Sequence, residues 1–384
     1  MRAYDVIVAG TGTAGSATCL ELARRGENVL GLDAFAPPHS LGSHHGRSRS
    51  LRRAYLEGTS YVPMALAAWE LWRKLERDVG ATLLRTTGNL TIGRPEDSAL
   101  SGFLRSARTY DIPHEELTAA EVQRRWPALN LPGTFAAGLE KEAGLLHPEL
   151  CVNAMLQEAS RAGASLCPDE PVIAWAAKGD RVRVTTTRGT HECGRLIITS
   201  GARTGKLLGQ AGPPLRPKRV VVHWIVPPSG NTFNLGSFPV NFWQLPDGME
   251  MYAMPITEPG GRLKFAAHNM LKDCDPDTVE RSVRPTEQDE ARRLLSTTIP
   301  DLARQDMTSD TCFYTMTPDR EFAMGPLPEQ PEVLVGAFAG HGFKFAPVLG
   351  EMLADMAMGN HPCFDAGIFA PDRFQEMPQH PESF

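Results

Sequence analysis

A short basic segment, residues 42–53, contains four arginines and two histidines. They are Arg47, Arg49, Arg52, Arg53, His44 and His45. A guanidinium group is a rigid planar fork that matches a carboxylate or another delocalised anion. A basic run is also typical of a loop in contact with solvent. The residues alone support an anion-binding site and a solvated loop equally well.

Two strand-like segments carry further reactive groups. Alternation along residues 262–268 puts Lys264 and His268 on one face and apolar side chains on the other. That polar face is either the wall of a ligand cavity or, more commonly, the solvated side of an antiparallel sheet. Residues 311–315 place Cys312 and Tyr314 on a shared face. An isolated strand cysteine is usually buried and unreactive, so composition alone favours a structural role for Cys312.

A second candidate anion site follows the buried-looking strand at residues 333–338. Gly340, His341, Gly342, Phe343 and Lys344 come next, and a helical pattern then covers residues 349–358. A helix that begins at a glycine-rich turn presents unpaired N–H groups and a partial positive charge. The alternative is an ordinary turn with a solvated lysine.

The N-terminal residues predict a unit that binds a dinucleotide. An apolar strand over residues 3–9 precedes Gly10, Gly12 and Gly15, a helix ending near Gly26, and a second strand ending at Asp33. The glycines allow a tight turn, close approach of pyrophosphate and close helix packing, and the acidic residue accepts ribose hydroxyls. Thr13 and Ala14 open the helix and belong to the same predicted phosphate site. This pattern does not separate NAD from FAD.

The elements around these groups predict an α/β chain, α+β overall, with a Rossmann-like domain and an inserted antiparallel-sheet domain. A proline-rich stretch at residues 212–217 precedes several β-branched and aromatic runs separated by turn signals. We predict a discontinuous nucleotide-binding domain of residues 1–85, 145–215 and 325–384. Residues 86–144 and 216–324 would form the substrate domain.

Composition excludes several classes of protein. The 384 residues are 42% hydrophobic and 22% charged, with a formal net charge of −6, which argues against disorder and against a general nucleic-acid binder. No apolar run is long enough for a membrane span, and the N-terminus lacks a secretory signal, so we expect a cytoplasmic protein. Seven scattered cysteines form no C-x-x-C pair, so we predict neither a disulfide framework nor a metal site.

Together, these segments resemble the monomeric sarcosine oxidase and N-methyltryptophan oxidase family, within the wider D-amino-acid-oxidase-like flavoproteins. The resemblance runs nearly end to end. It includes the N-terminal unit, Pro37-Pro38-His39, Ser43-His44-His45-Gly46, Arg49, Arg52, Ala54-Tyr55, Glu57-Gly58, Tyr61-Val62-Pro63, Arg125-Trp126-Pro127, Lys264, His268, Cys312 and Gly340-His341-Gly342-Phe343-Lys344-Phe345.

The resemblance implies FAD, attached covalently through the sulfur of Cys312. It implies that His45 and Arg49 act in the flavin environment, and that Lys264 promotes reaction with oxygen. It also implies that Arg52 and Lys344 hold the substrate carboxylate and that His268 and Tyr252 line the substrate cavity. The remaining residues that we assign to the cofactor are Ser43, His44, Val172, Gly201, Gly340, Gly342 and Phe343, together with Arg49 and Lys344.

The activity implied is oxidation of sarcosine or a related N-methyl amino acid by hydride transfer to FAD. Imine hydrolysis and reduction of O2 to H2O2 would follow, in a monomer with no nucleic-acid or membrane partner. Arg47, Ser50 and Arg53 depart from the residues common in the family and put the substrate in question. The alternatives are an oxidase of a bulkier or cyclic amino acid (N-methyltryptophan, pipecolate or a glycated amino acid), an FAD dehydrogenase with another electron acceptor, and a catalytically idle flavin-binding protein.

Overall fold

The fold is described from a computed structural model that covers residues 3–258 and 260–375. Residues 1–2 and 376–384, the outer ends of the predicted nucleotide-binding domain, lie outside the described residues.

The described residues form eight α-helices and twenty β-strands. The helices are α1 (Thr13–Arg24), α2 (Val62–Val79), α3 (Ser98–Thr109), α4 (Ala119–Arg125), α5 (Pro148–Arg161), α6 (Thr204–Leu208), α7 (Pro285–Thr298) and α8 (Ala346–Ala357). The first ten strands are β1 (Ala3–Ala9), β2 (Val29–Leu32), β3 (Arg49–Leu51), β4 (Leu84–Thr86), β5 (Asn89–Gly93), β6 (Glu115–Thr118), β7 (Ala136–Glu140), β8 (Gly144–Leu146), β9 (Ser165–Cys167) and β10 (Val172–Lys178). The last ten are β11 (Arg181–Thr186), β12 (Gly189–Ile198), β13 (Arg216–Ile225), β14 (Val240–Gln244), β15 (Glu250–Met254), β16 (Leu263–Ala267), β17 (Lys272–Asp273), β18 (Met307–Met316), β19 (Ala323–Leu327) and β20 (Gln330–Ala337).

The first sheet has eight strands and a parallel centre. β1 lies between β2 and β12, and β9 and β20 extend the parallel set on either side. β10, β11 and β19 join it through antiparallel pairs. Ala9 pairs with both Leu32 and Ile198, so the carboxyl ends of β1, β2 and β12 meet at one edge. In open α/β sheets, ligands bind outside this edge.

The second sheet has nine strands in the order β17-β13-β16-β15-β14-β5-β7-β6, and β18 pairs with β13. Each of these pairs is antiparallel except β5 with β14, which run parallel. The pair of β5 and β14 joins the strands β5–β7 to the strands β13–β18, which come from separate stretches of the chain. Turn signals in the sequence are local and do not predict such a pairing. β3, β8 and β4 form a small third sheet, in which β8 pairs antiparallel with both of the others.

The predicted fold class is confirmed, because the strands form one sheet with a parallel centre and one mainly antiparallel sheet. The two sheets take their strands from alternating stretches of chain. The domain boundaries themselves stay a prediction. β19 begins at Ala323, two residues before the last predicted boundary. Local sequence signals begin three of the helices. Thr118 and Glu121 form a capping box for α4, and Pro148 begins α5. α2 begins at Val62, after a short 3-10 turn of residues Thr59–Tyr61, and has a proline in its first turn.

Candidate active site

A cavity of about 530 Å³ lies at the carboxyl edge of the first sheet. The Gly10–Gly12 turn and the start of α1 form one wall of it. α1 has no side-chain cap and no acidic residue in its first turn, so its first N–H groups are available to an anion.

Two glycines allow this wall to form. Gly10 has a φ of +95°, and a Cβ there would lie 2.6 Å from Ser200 Cα. A Cβ on Gly15 would lie 1.8 Å from the carbonyl oxygen of Gly10, so only glycine lets α1 pack this closely.

Asp33 lies on the same cavity and is held in one orientation by the backbone. Its Oδ2 accepts a hydrogen bond from Thr11 N at 2.8 Å, and its Oδ1 accepts one from Phe35 N at 3.0 Å. A carboxylate held in this way is suited to accepting hydroxyl donors from a ligand.

Most residues predicted to bind the cofactor line this cavity. They are Gly10, Gly12, Thr13, Ala14, Asp33, Ser43, His44, Arg49, Val172, Gly201, Gly340, Gly342 and Phe343. Gly15 lies behind the wall, and Cys312 and Lys344 line the neighbouring cavity instead.

The second cavity, of about 80 Å³, adjoins the first, and Arg49, Tyr314, Gly340 and Phe343 line both. It brings together most of the predicted substrate and catalytic residues: Arg49, Arg52, Tyr252, His268, Cys312 and Lys344. Lys264 and His45 do not line it but lie in the layer directly behind.

Arg49 is fixed beside the Cys312 thiol. Its guanidinium donates to the carbonyl oxygens of Ser43, His45 and Ser48 at 2.9, 2.6 and 2.8 Å, and its Nη2 lies 3.7 Å from Cys312 Sγ. Burial alone would raise the pKa of Cys312, but contact with His45 and the charge of Arg49 outweigh it and lower the pKa to about 7. Cys312 therefore differs from an inert core thiol such as Cys19, whose pKa burial raises to about 12.

Arg52 and Lys344 face the second cavity together with Glu57. Arg52 Nη2 donates to both carboxylate oxygens of Glu57, at 2.9 and 3.1 Å. Burial would raise the pKa of Glu57, but Arg52 and Lys344 lower it to about 2, so Glu57 is an anion. Among the described residues, Arg52 Nε is buried with no hydrogen-bond partner. Burial and the charge of Arg52 lower the pKa of Lys344 to about 7.

The strand that carries Lys264 is buried on both faces, so its interpretation as a solvated sheet face is wrong. Lys264 is 2% exposed, and its Nζ donates to Ser48 O at 2.8 Å. Burial and Arg49 hold the pKa of Lys264 well below its ordinary value. Burial lowers the pKa of His268 to about 4 and raises the pKa of Tyr252 to about 12, so both are neutral at pH 7.

The basic loop is likewise mostly buried, so its solvated interpretation is also wrong. Arg49 and Arg52 face the cavities, and Arg53 pairs with the buried Glu140 through Nε at 2.8 Å. Arg47 alone among its four arginines is exposed, over the ring of Trp224 at 5.7 Å. Of the three residues that depart from the family pattern, Ser50 lines the second cavity, and Arg47 and Arg53 line neither of these two cavities.

The predictions from sequence assigned no role to several residues of the second cavity, among them Glu57, Phe242 and His341. Glu57 and His341 belong to segments that carry the family resemblance, but the sequence predicted no function for either residue. Tyr314 had a usable signal, because strand alternation placed it beside Cys312. Phe242, whose ring lies 5.4 Å from the Arg52 guanidinium, carried no signal beyond its strand pattern.

Within residues 3–258 and 260–375, no group of three or more His, Cys, Asp or Glu is arranged to hold a metal ion. None of the helices in that part of the chain combines the length and apolar character that crossing a membrane requires.

Comparison with known proteins agrees with this geometry. Residues 5–356 match the family model DAO, FAD dependent oxidoreductase. Monomeric sarcosine oxidase of Streptomyces avermitilis is 39% identical over 98% of this chain and 99% of that protein. N-methyl-L-tryptophan oxidase of Yersinia pestis is 32% identical over 97% of this chain and 100% of that protein. The solved structure of NikD, an unusual amino acid oxidase essential for nikkomycin biosynthesis, has the same fold, with a TM-score of 0.84. The match is 24% identical and covers 97% of this chain and 98% of the NikD chain. The chain therefore belongs to the DAO family of FAD-dependent oxidoreductases, as its resemblance to the sarcosine oxidase group predicted.

Proposed function

We propose that this chain is an oxidase of small secondary amino acids, with sarcosine the expected substrate, that uses FAD and O2. One observation carries the proposal. The small second cavity is lined by Lys344 and by Arg52, whose buried Nε has no hydrogen-bond partner among the described residues. An unpaired buried guanidinium N–H is costly, and a bound carboxylate would satisfy it.

The first cavity fits FAD. It offers the uncapped start of α1 for a pyrophosphate and the oriented carboxylate of Asp33 for ribose hydroxyls. Gly340, Gly342 and Phe343 continue the lining towards the second cavity. When bound, FAD supplies the acceptor for a hydride equivalent from the substrate and the route of the electrons to O2.

Cys312 is the proposed point of covalent attachment. It lies where the two cavities adjoin, and its lowered pKa makes a larger fraction of the thiol anionic at neutral pH. Arg49 and His45 act here by stabilising that thiolate, and Arg49 keeps its orientation through three carbonyl acceptors.

Arg52 and Lys344 hold the substrate carboxylate and so fix the orientation of the carbon that loses hydride. Glu57 balances the charge of Arg52 and keeps its guanidinium in the cavity. The amine must be neutral to react, and the surrounding cations disfavour its protonated form. The iminium product then hydrolyses in water.

His268, Tyr252 and Tyr314 form the wall near the reacting groups as neutral side chains. Tyr314 Oη and His268 Nδ1 lie 3.2 Å apart, which keeps both rings in place. With a pKa of about 4, His268 is a weak base, consistent with hydride removal that needs no strong base. Lys264, buried and held by Ser48 O, promotes the reaction with O2 in its protonated form, although burial and the charge of Arg49 lower the pKa of its ammonium group.

The size of the second cavity favours a small substrate. Its 80 Å³ is several times the roughly 10–15 Å³ that one water requires, which suits an amino acid with few heavy atoms. Phe242, Tyr252 and Met254 line this cavity, and their large side chains limit its volume. The relatives are named for sarcosine and N-methyl-L-tryptophan, and we infer the smaller of the two for this chain.

We also infer that the chain acts as a cytoplasmic monomer. Residues 86–144 and 216–324 would serve as the substrate domain, because the sheet that carries Tyr252, Lys264 and Cys312 is built from them.

The test is anaerobic mixing of the purified flavoprotein with a panel of amines, followed by admission of air. The panel contains sarcosine, N-methyltryptophan, pipecolate and a glycated amino acid. We expect bleaching of the flavin by sarcosine and stoichiometric H2O2 in air. Bleaching without peroxide would identify a dehydrogenase, and failure of every secondary amine to bleach the flavin would refute the proposal.

A further inference from the structure

A chain of hydrogen bonds starts at Lys344 and passes through Tyr55 and His341 to the main chain of Arg320. Lys344 Nζ lies 3.3 Å from Tyr55 Oη, which lies 2.6 Å from His341 Nδ1, and His341 Nε2 lies 3.3 Å from the carbonyl oxygen of Arg320. Lys344 Nζ also donates to His341 O at 2.9 Å.

The chain has only one consistent direction when Lys344 is charged. An ammonium group has three donors and no acceptor, so Tyr55 Oη must accept from it. The Tyr55 hydroxyl then donates to His341 Nδ1. His341 is therefore the tautomer with its proton on Nε2, and it donates to Arg320 O.

The surroundings of His341 keep this direction. Its ring stacks on Phe322 at 4.7 Å, and burial lowers its pKa to about 4, so the ring is neutral at pH 7. The titratable or charged groups that act on it are Glu57, which raises its pKa, and Lys344 and His268, which lower it. Burial also keeps the Tyr55 hydroxyl protonated, because its pKa is raised well above 10.

We propose that Tyr55 and His341 are positioning residues for Lys344, which orient its ammonium group so that its third donor points at the substrate carboxylate. This inference rests on the proposed carboxylate clamp and deepens it. Lys344 uses two donors on Tyr55 and His341, which leaves one for a ligand. Accepting a hydrogen bond from the ammonium also stabilises its charged form in a buried place.

The test compares Tyr55→Phe, His341→Leu and His341→Asn with the unchanged holoenzyme. The probe is acetate, a carboxylate without an amine, and its binding is followed through the flavin absorbance between pH 6 and pH 9. His341→Asn retains an acceptor near the position of Nδ1, whereas His341→Leu does not. Tyr61→Phe is the matched control, since the Tyr61 hydroxyl donates to Glu321 and has no contact with Lys344.

Loss of a charge-assisted hydrogen bond predicts about a tenfold weaker affinity for acetate in Tyr55→Phe and His341→Leu. The pH at which acetate binding weakens should fall in both variants, because Tyr55→Phe removes an acceptor of the Lys344 ammonium group and His341→Leu removes the group that orients this acceptor. His341→Asn should recover part of the affinity, and Tyr61→Phe should behave as the parent.

Unchanged acetate affinity and pH dependence in Tyr55→Phe and His341→Leu would overturn the inference. So would a loss of kcat at unchanged affinity. The proposed function can fail separately: if no secondary amine bleaches the flavin but acetate binding still depends on Tyr55 and His341, the positioning role stands and only the substrate is wrong.

Discussion

Replacing Lys344 with methionine should weaken carboxylate binding by an amount that depends on pH. The substitution keeps the apolar stem and removes one charge-assisted hydrogen bond to the ligand. Such a bond is worth about 1.5–3 kcal/mol, or roughly 10–150-fold in affinity. Because the pKa of Lys344 is about 7, its ammonium is mostly present at pH 6. By pH 9 only about one molecule in a hundred of the free enzyme retains that charge.

The affinity of the parent enzyme for acetate should therefore decline above pH 7, whereas that of Lys344→Met should stay flat. The ratio between the two should fall from roughly 10–150 at pH 6 towards one at pH 9. Acetate suits this titration because it is fully ionised across the range and contributes no amine titration of its own. Lys272→Met is the matched control, since Lys272 is an exposed lysine paired with Glu287. A ratio that does not change with pH, or an unchanged affinity at pH 6, would refute the reasoning.

Three other substitutions test separate parts of the site. Lys264→Met should slow reoxidation of the reduced enzyme by O2 about 100–1000-fold, measured by stopped-flow absorbance, while acetate affinity changes little. Equal losses in the reoxidation rate and in acetate affinity would contradict the role assigned to Lys264. Cys312→Ala should release its flavin into the supernatant on acid precipitation, whereas the parent keeps it in the pellet; free FAD from the parent would disprove the covalent link. Gly15→Ala should lower the flavin-to-protein absorbance ratio severely, because its Cβ would lie 1.8 Å from the Gly10 carbonyl oxygen. Gly133→Ala, where a Cβ meets nothing within 4 Å, should leave that ratio unchanged.

The N-terminal unit was the most predictable part of the chain. Gly10, Gly12, Gly15 and Asp33 lie within 24 consecutive residues, and each has a local physical reason to be where it is. Strand alternation predicted that Cys312 and Tyr314 share one face, and both side chains line the second cavity. The capping box of Thr118 and Glu121 is equally local, since its two partners are three residues apart.

The sequence of β16 did not predict that Lys264 is buried. Alternation gives two faces but does not say what covers them, and sheets with one wet face are the commoner case. Here the main chain of the basic loop covers Lys264 and accepts its hydrogen bond through Ser48 O. Burial of the basic loop could not be predicted either, because a run of arginines has the same composition whether it faces solvent or a cavity.

By itself, the sequence determined the family and the glycine-rich N-terminal unit, and it named most of the residues that line the two cavities, because these rest on short spacings and on motif combinations. Only the tertiary structure decided which charges meet. Arg49 and Cys312 are 263 positions apart, and Tyr55 and His341 are 286 positions apart. Their contact depends on how two sheets from alternating stretches of chain pack together. Burial and the charge of Arg52 then lower the pKa of Lys344, whereas His45 and Arg49 lower that of Cys312 against the effect of burial. The cost of a charge depends on its surroundings in space and not on its neighbours in sequence.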